Sequence, residues 1–132
     1  MVTYLWIALG GAIGSVARFA CSSLIANWFG QTFPWGTLLV NVSGSFVIGF
    51  FSTLTGPDGR VMVAGDIRQF VTVGICGGYT TFSSFSLQTL NLIRDGDLME
   101  AGGNVLASVI GCLASVWLGY AAAAALSQVR RA

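Results

Sequence analysis

Gly74-Ile75-Cys76-Gly77-Gly78-Tyr79-Thr80-Thr81-Phe82-Ser83-Ser84-Phe85-Ser86 lies in the middle of the chain, flanked by the apolar residues Phe70, Val71 and Val73 before it and Leu87 and Leu90 after it. The stretch holds three glycines, six hydroxyl-bearing side chains and two phenylalanines, within a span long enough to cross a bilayer. Glycine costs a helix about 1 kcal/mol per position relative to alanine. Irregular backbone at membrane depth is tolerated only where protein buries it or where it lines a cavity. The stretch therefore predicts a broken helix that handles a small ion.

The surrounding composition places that helix in a membrane. The 132 residues are 55% hydrophobic and only 8% charged, with a mean hydropathy of +0.78, whereas a soluble domain carries about a quarter charged residues. Apolar runs of about 20 residues without strict alternation favour helices over a barrel. Four such runs fit, at residues 4–26, 35–55, 69–93 and 102–126, making residues 1–132 one four-span domain with little left for loops. The first run has no basic segment before it and leads straight to Arg18, so it reads as a retained span rather than a cleaved signal. Cys21, Cys76 and Cys112 all fall within spans, as small buried hydrophobes rather than a disulfide framework. With no histidine and no carboxylate cluster, neither a catalytic metal site nor a nucleophile–base pair is readable, and the chain is not expected to be an enzyme. Six arginines against five acids leave a net charge of +1, too little for a nucleic-acid partner.

Polar residues inside the spans fall on single faces. Gly10, Gly14 and Arg18 recur every four residues along the first span, a spacing that lets another helix approach closely. Arg18 reads either as a snorkelling anchor or as a positive charge that draws anions into a vestibule. The short loop 27–34, beside Trp28, Phe29, Phe33 and Trp35, marks a membrane interface and makes the first two spans antiparallel neighbours. Asn41, Ser45 and Ser52 form a polar stripe on the second span, beside Gly44 and Gly49. The Asn41 amide either hydrogen-bonds a neighbouring helix or meets a permeating ligand. Residues 56–68 are the one long polar connection, and Asn104, Ser108, Cys112 and Ser115 form another stripe on the fourth span.

All five acids lie in loops or at helix ends. A proton-coupled transporter needs an ionisable group within the membrane, and here the mid-depth polar groups are neutral. Hydroxyls and the Asn41 amide donate hydrogen bonds to an anion. Phe82 and Phe85, three residues apart, share one helix face, and an aromatic ring has a positive edge that attracts a small bare anion. Both rings have the alternative reading of lipid-facing or packing residues. Carbonyls freed at a helix break suit a cation, while the N-terminus of a half-helix suits an anion. The residues alone lead to a small-ion pathway in a helix-broken, four-span protein, with either sign of ion open.

Residues 77–86 resemble the GGxTTFSTFS signature of the Fluc (CrcB) fluoride channels, and Gly36-Thr37-Leu38-Leu39-Val40-Asn41 resembles that family's GTLxVN segment. The resemblance covers essentially the whole chain. It implies an all-α membrane protein of four transmembrane helices, the third broken near mid-membrane, assembled as an antiparallel, dual-topology homodimer with two fluoride pores. It implies passive export of fluoride across the bacterial inner membrane: HF enters from acidic surroundings, dissociates inside, and the trapped anion leaves through the channel. By the same resemblance Phe82 and Phe85 line the pore edge-on and Asn41 donates to the ion. Thr81, Ser83, Ser84 and Ser108 continue the track, and Arg18 sits at the vestibule. Main-chain carbonyls of Gly77 and Thr80 from both subunits hold a central structural sodium, Na+.

The chain departs from the family pattern at a few positions. Tyr79 replaces the usual Leu and Ser84 the usual Thr, Gln88 stands where many relatives carry Glu, and Asn104 and Cys112 stand where some carry Tyr and Ser. Arg60, Arg68, Arg130 and Arg131 on one side against Arg94 on the other, joined by Arg18 if it snorkels, lean toward cytoplasmic termini, so dual topology rests on the resemblance and not on the charges. The runner-up class is a small dual-topology multidrug or cation exporter, which wants a buried carboxylate that no span provides. A non-transporting assembly subunit would explain the glycine faces but not the hydroxyl-rich, aromatic break.

Overall fold

Long apolar runs, which leave no backbone group to water, become helices with short connections. A computed structural model of the chain describes residues 1–57 and 59–128. Asp58, Arg130 and Arg131, whose charges the sequence reading counted, lie outside the described residues. Helix α1 spans Val2–Phe29 and α2 spans Trp35–Leu54. The third span comprises α3 (Gly65–Gln69), a π-helical stretch (Phe70–Cys76), α4 (Gly77–Tyr79) and, beyond Thr80 and Thr81, α5 (Phe82–Asp95). Helix α6 covers Leu98–Gln128. There is no strand among the described residues.

Three helices are each long and apolar enough to cross a membrane: Val2–Phe29, Trp35–Leu54 and Leu98–Ser127. The third span is made of two parts, residues 65–79 and 82–95, each about 20 Å long at the helical rise. Neither part alone covers a hydrocarbon layer of about 30 Å. The predicted break is present, at Thr80–Thr81, where both residues leave helical geometry: Thr80 has φ −83° and ψ 157°, and Thr81 has φ −154° and ψ 116°. The first, third and fourth spans run up to about a turn beyond the limits read from hydropathy, whereas α2 keeps to its own, and the polar connection after α2 gives way to helix again at Gly65. The π-helical stretch was not anticipated from sequence.

Two seams hold the helices together. Helix α2 packs most extensively on α6, where a Cβ at Gly49 would lie 3.0 Å from Val116 Cγ2 and one at Gly119 would lie 2.8 Å from Phe50 N. Ser115 Oγ donates to Val42 O across this seam at 2.7 Å. Helix α1 packs on the π-helical stretch and α4, backbone against backbone. A Cβ at Gly10 would lie 2.5 Å from Phe70 O and 2.9 Å from Gly74 Cα. One at Gly14 would collide with Ile75 O and lie 2.8 Å from Tyr79 N, and one at Gly78 would lie 2.6 Å from Gly11 O. This is the close approach that small residues permit in a membrane, where apolar side chains gain little by leaving lipid.

The ends of the elements have local causes. Thr3 Oγ1 donates to Asp66 Oδ1 at 2.6 Å, tying the start of α1 to the start of the third span. Helix α5 stops at Gly96, whose φ of 89° only glycine adopts cheaply. Asp97 N then donates to Leu92 O at 2.9 Å and Gly96 N to Ile93 O at 3.2 Å, the paired bonds of a Schellman stop. Trp35 packs beside Phe29 and Phe33, with ring centroids 6.2 and 4.7 Å away.

The glycine seam yields a contrast between neighbouring positions. Gly14→Ala should destabilise the purified protein by about 1–3 kcal/mol, the usual cost of overpacking. Gly11→Ala, whose Cβ would meet nothing within 4 Å, should be neutral or gain helix propensity. Thermal unfolding of the two variants beside the parent checks this.

Candidate functional site

Two consecutive residues leave helical geometry at mid-span, and the second of them, Thr81, loses its helical partners and has them replaced by one side chain. Asn41 Nδ2 donates to Thr81 O at 2.9 Å, and Thr81 N donates to Asn41 Oδ1 at 2.7 Å. The amide of α2 thus pairs with both backbone groups of Thr81, its N–H and its C=O, as a strand neighbour would. Of the two sequence readings of Asn41, bonding to a neighbouring helix is the one seen directly. Asn41 also faces the groove described below, so its amide is held beside the space that a ligand would use.

Thr81 does the same for the helix that follows. Its Oγ1 accepts from Ser84 N at 3.1 Å, capping α5. That Oγ1 also donates to Ser84 Oγ at 3.1 Å and lies 3.3 Å from Ser83 Oγ. The three predicted hydroxyls therefore form one cluster at the N-terminus of α5, where unsatisfied N–H groups and the helix dipole favour negative charge.

These two arrangements release two carbonyls. In an unbroken helix Thr81 N would bond Gly77 O and Ser84 N would bond Thr80 O. Both donors have been diverted, one to Asn41 Oδ1 and one to Thr81 Oγ1. Thr80 itself remains tied to the turn below it, its N and Oγ1 each donating to Cys76 O at 2.9 Å. Arg18 Nη1 reaches Thr80 O at 3.4 Å, near the long limit of a hydrogen bond. Arg18, half-buried, is therefore placed at the break and not only at an interface. Freed carbonyls at the end of a half-helix are the groups that coordinate small hard cations in membrane proteins.

Phe82 and Phe85 part company in exposure. Their rings are neighbours, with centroids 5.2 Å apart and planes at 51°. Phe85 is 8% exposed and Phe82 77% exposed. Packing within the chain accounts for Phe85 alone. A groove of about 450 Å³ runs along the break, lined among others by Asn41, Thr80, Thr81, Phe82, Phe85 and Ser108. Every polar side chain on it is uncharged.

Ser108 belongs to a second chain of bonds. Ser108 Oγ donates to Asn104 Oδ1 at 3.4 Å, Asn104 Nδ2 to Thr89 Oγ1 at 2.9 Å, and Thr89 Oγ1 to Phe85 O at 2.8 Å. Asn104, only 1% exposed, thus ties α6 to α5 directly beneath Phe85. Thr89 was missed by the sequence reading. Its signal was available: Thr81, Phe85, Thr89 and Leu92 recur at helical spacing and are all buried. Tyr79 was read only as a departure, yet Ser43 Oγ donates to Val40 O at 3.1 Å and lies 3.1 Å from the Tyr79 hydroxyl, pinning α4 to α2. Gln88 lies away from the groove, on a polar cavity of about 600 Å³ near the first loop, shared with Ser22, Asn27, Asn91 and Asp95. Its Oε1 is buried without a hydrogen-bond partner among the described residues.

The fold and the break define a multi-pass helical membrane protein with a neutral polar groove at a discontinuous span. Comparison with known proteins makes this specific. The family described as "CrcB-like protein, Camphor Resistance (CrcB)" matches residues 5–120. A protein of Opitutus terrae named fluoride-specific ion channel FluC is 62% identical over 130 residues, covering 98% of each chain. Proteins of the same name from Rhodospirillum rubrum, 59% identical over 127 residues, and Methylocella silvestris, 56% identical over 129, are matched over 96% and 98% of this chain. The chain belongs to the CrcB family, a family of bacterial membrane ion channels and not of enzymes.

The Asn41–Thr81 pair gives the second test. Asn41→Ala would leave the N–H and C=O of Thr81 without partners, costing about 2–5 kcal/mol if neither finds a substitute. The expected result is a lowered unfolding midpoint together with lost ion flux. Ser108→Ala, which removes one long hydrogen bond, should leave the midpoint close to the parent's.

Proposed function

We propose that the chain is a fluoride-selective ion channel, through which fluoride leaves the cytoplasm passively and the cell escapes its toxicity. The observation that carries this reading is the groove at the break, whose polar lining is uncharged, in a chain closely similar to proteins named as fluoride-specific channels. Ser83, Ser84 and the second Nδ2–H of Asn41 supply hydrogen-bond donors, Thr81 and Ser108 supply hydroxyls that would turn from their present acceptors to do so, and Phe82 and Phe85 supply ring edges that attract an anion more weakly than a lysine would. Weak neutral contacts let an ion enter and also leave, which conduction requires. Arg18 adds positive potential beside the break. No acid at mid-depth serves the proton coupling of an exporter, so the multidrug or cation exporter is the weaker reading.

The working unit in this proposal is an antiparallel homodimer with two pores, inserted in both orientations. Polar groups at the break that a bilayer would not solvate support it: Gly77 and Ser83 are exposed in the single chain, beside the exposed ring of Phe82. Gly77 also has space beside it, since an added Cβ would come no nearer than 4.0 Å to Thr72 O. A second copy lying there would cover these groups. Central Na+ in the same proposal is held by the Gly77 and Thr80 carbonyls of both copies. The fit rests on their diverted helical donors and on the affinity of such carbonyls for small cations. Bound there, Na+ would supply a fixed positive charge that holds the two broken spans together.

Purified protein in liposomes should release fluoride rapidly and chloride negligibly, as read by ion-selective electrodes; equal slow loss of both halides would sink the proposal. Phe82→Ile is the cleaner ring test, because that side chain is exposed in the single chain. It should cut fluoride flux while leaving the dimer intact by size-exclusion chromatography. Phe85→Ile should cut flux as well, with some loss of thermal stability from its buried position.

A further inference from the structure

Arg18 reaches across 62 residues of sequence to the carbonyl of Thr80, one of the carbonyl oxygens released at the break. That carbonyl lost its helical donor when Thr81 Oγ1 took the N–H of Ser84. The guanidinium therefore stands at an oxygen that the cation also needs. The site of Arg18 is not accidental, since α1 is locked against this part of the span. Gly14, one helical turn before Arg18, packs against Tyr79 N and the Gly78 carbonyl carbon at distances where a Cβ would not fit. Helix α1 cannot slide to carry Arg18 away while that seam holds.

We propose that Arg18 sets the affinity of the break for its cation: the guanidinium and the cation share the Thr80 carbonyl, and each weakens the other's hold on it. The inference rests on the cation reading given above and assigns a regulator to that site. Two positive charges at one oxygen repel, and the repulsion is only partly screened in a half-buried place. The carbonyl has two lone pairs, so the two occupants compete by charge more than by geometry. A cation bound at Thr80 in turn frees the guanidinium to face an incoming anion. Sodium occupancy and the positive potential offered to fluoride are thereby linked, and by reciprocity an anion that draws Arg18 away strengthens the cation site.

The test is the thermal unfolding midpoint of the full-length protein in detergent, titrated with NaCl in place of N-methylglucamine chloride at constant ionic strength. A ligand that binds only the folded state raises the midpoint in a saturable way. Arg18→Gln keeps a hydrogen-bond donor and removes the charge. It should reach half-maximal stabilisation at roughly tenfold lower sodium than the parent. Arg18→Met is the second neutral variant and should shift the same way, while Arg18→Lys, which keeps the charge, should stay near the parent. A half-maximal concentration in Arg18→Gln that is unchanged or raised overturns the inference while leaving the cation reading in place. So does Arg18→Lys behaving like Arg18→Gln, because the effect would then not be one of charge. A parent midpoint indifferent to sodium removes the cation from the break, and this inference with it.

Discussion

A peptide bond that leaves its helix inside a membrane must find new partners within the protein. In this chain the N–H and C=O of Thr81, on the two peptide bonds that flank it, find theirs in the carboxamide of Asn41. The pairing works because an amide side chain carries one donor and one acceptor at the spacing of the backbone's own groups. A serine, an aspartate or a leucine at position 41 would leave at least one side unmet. Once that pairing is made, the rest of the site follows from it. Thr81 is held extended, its hydroxyl comes free to cap α5, and the carbonyls of Gly77 and Thr80 lose the donors that an unbroken helix would have supplied. The break is thus less a gap in a helix than an exchange of partners, with side chains replacing backbone groups on one face and leaving carbonyls on the other.

That exchange sorts charge without ionised acids. The end of the half-span at Gly77–Tyr79 presents carbonyl oxygens, and the start of α5 presents amides and hydroxyls a few residues later. Opposite helix ends carry opposite partial charge, so groups that suit a cation and groups that suit an anion lie next to each other on one short segment. Arg18 and the ring of Phe82 stand at this junction. The rings of Phe82 and Phe85 touch, but only Phe85 is held by its own chain. Two residues that look equivalent in the sequence therefore differ in what their environment asks of them.

Much of this was legible in the sequence. Four helices and a break follow from long apolar runs interrupted by glycines and hydroxyls, because a bilayer leaves so few alternatives. The Gly10–Gly14 face was readable from spacing, and the structure shows what it meets. Other features depend on the fold. The spacing of Asn41 revealed a polar face but could not say that both ends of its amide would meet the backbone of one residue, Thr81. Arg18 and Thr80 are far apart in the chain, and no local pattern links them. Asn104 was noticed as a departure, whereas its bond to Thr89 required knowing how α5 and α6 face each other. The π-helical stretch left no local mark, since Phe70 to Gly74 would sit equally well in an α-helix.

That stretch has a consequence of phase. A π turn takes up roughly one residue more than an α turn, so everything beyond it is rotated by about 100° relative to a uniform helix. On one side of it Asp66 meets Thr3, and on the other Gly78 meets Gly11. Both contacts are made to the same helix, α1. A uniform helix docked correctly at one of them would arrive about a quarter of a turn out of step at the other. The wide turn is the vernier that brings both ends into register, and a chain one residue shorter between Phe70 and Cys76 would have to choose between its anchor and its break.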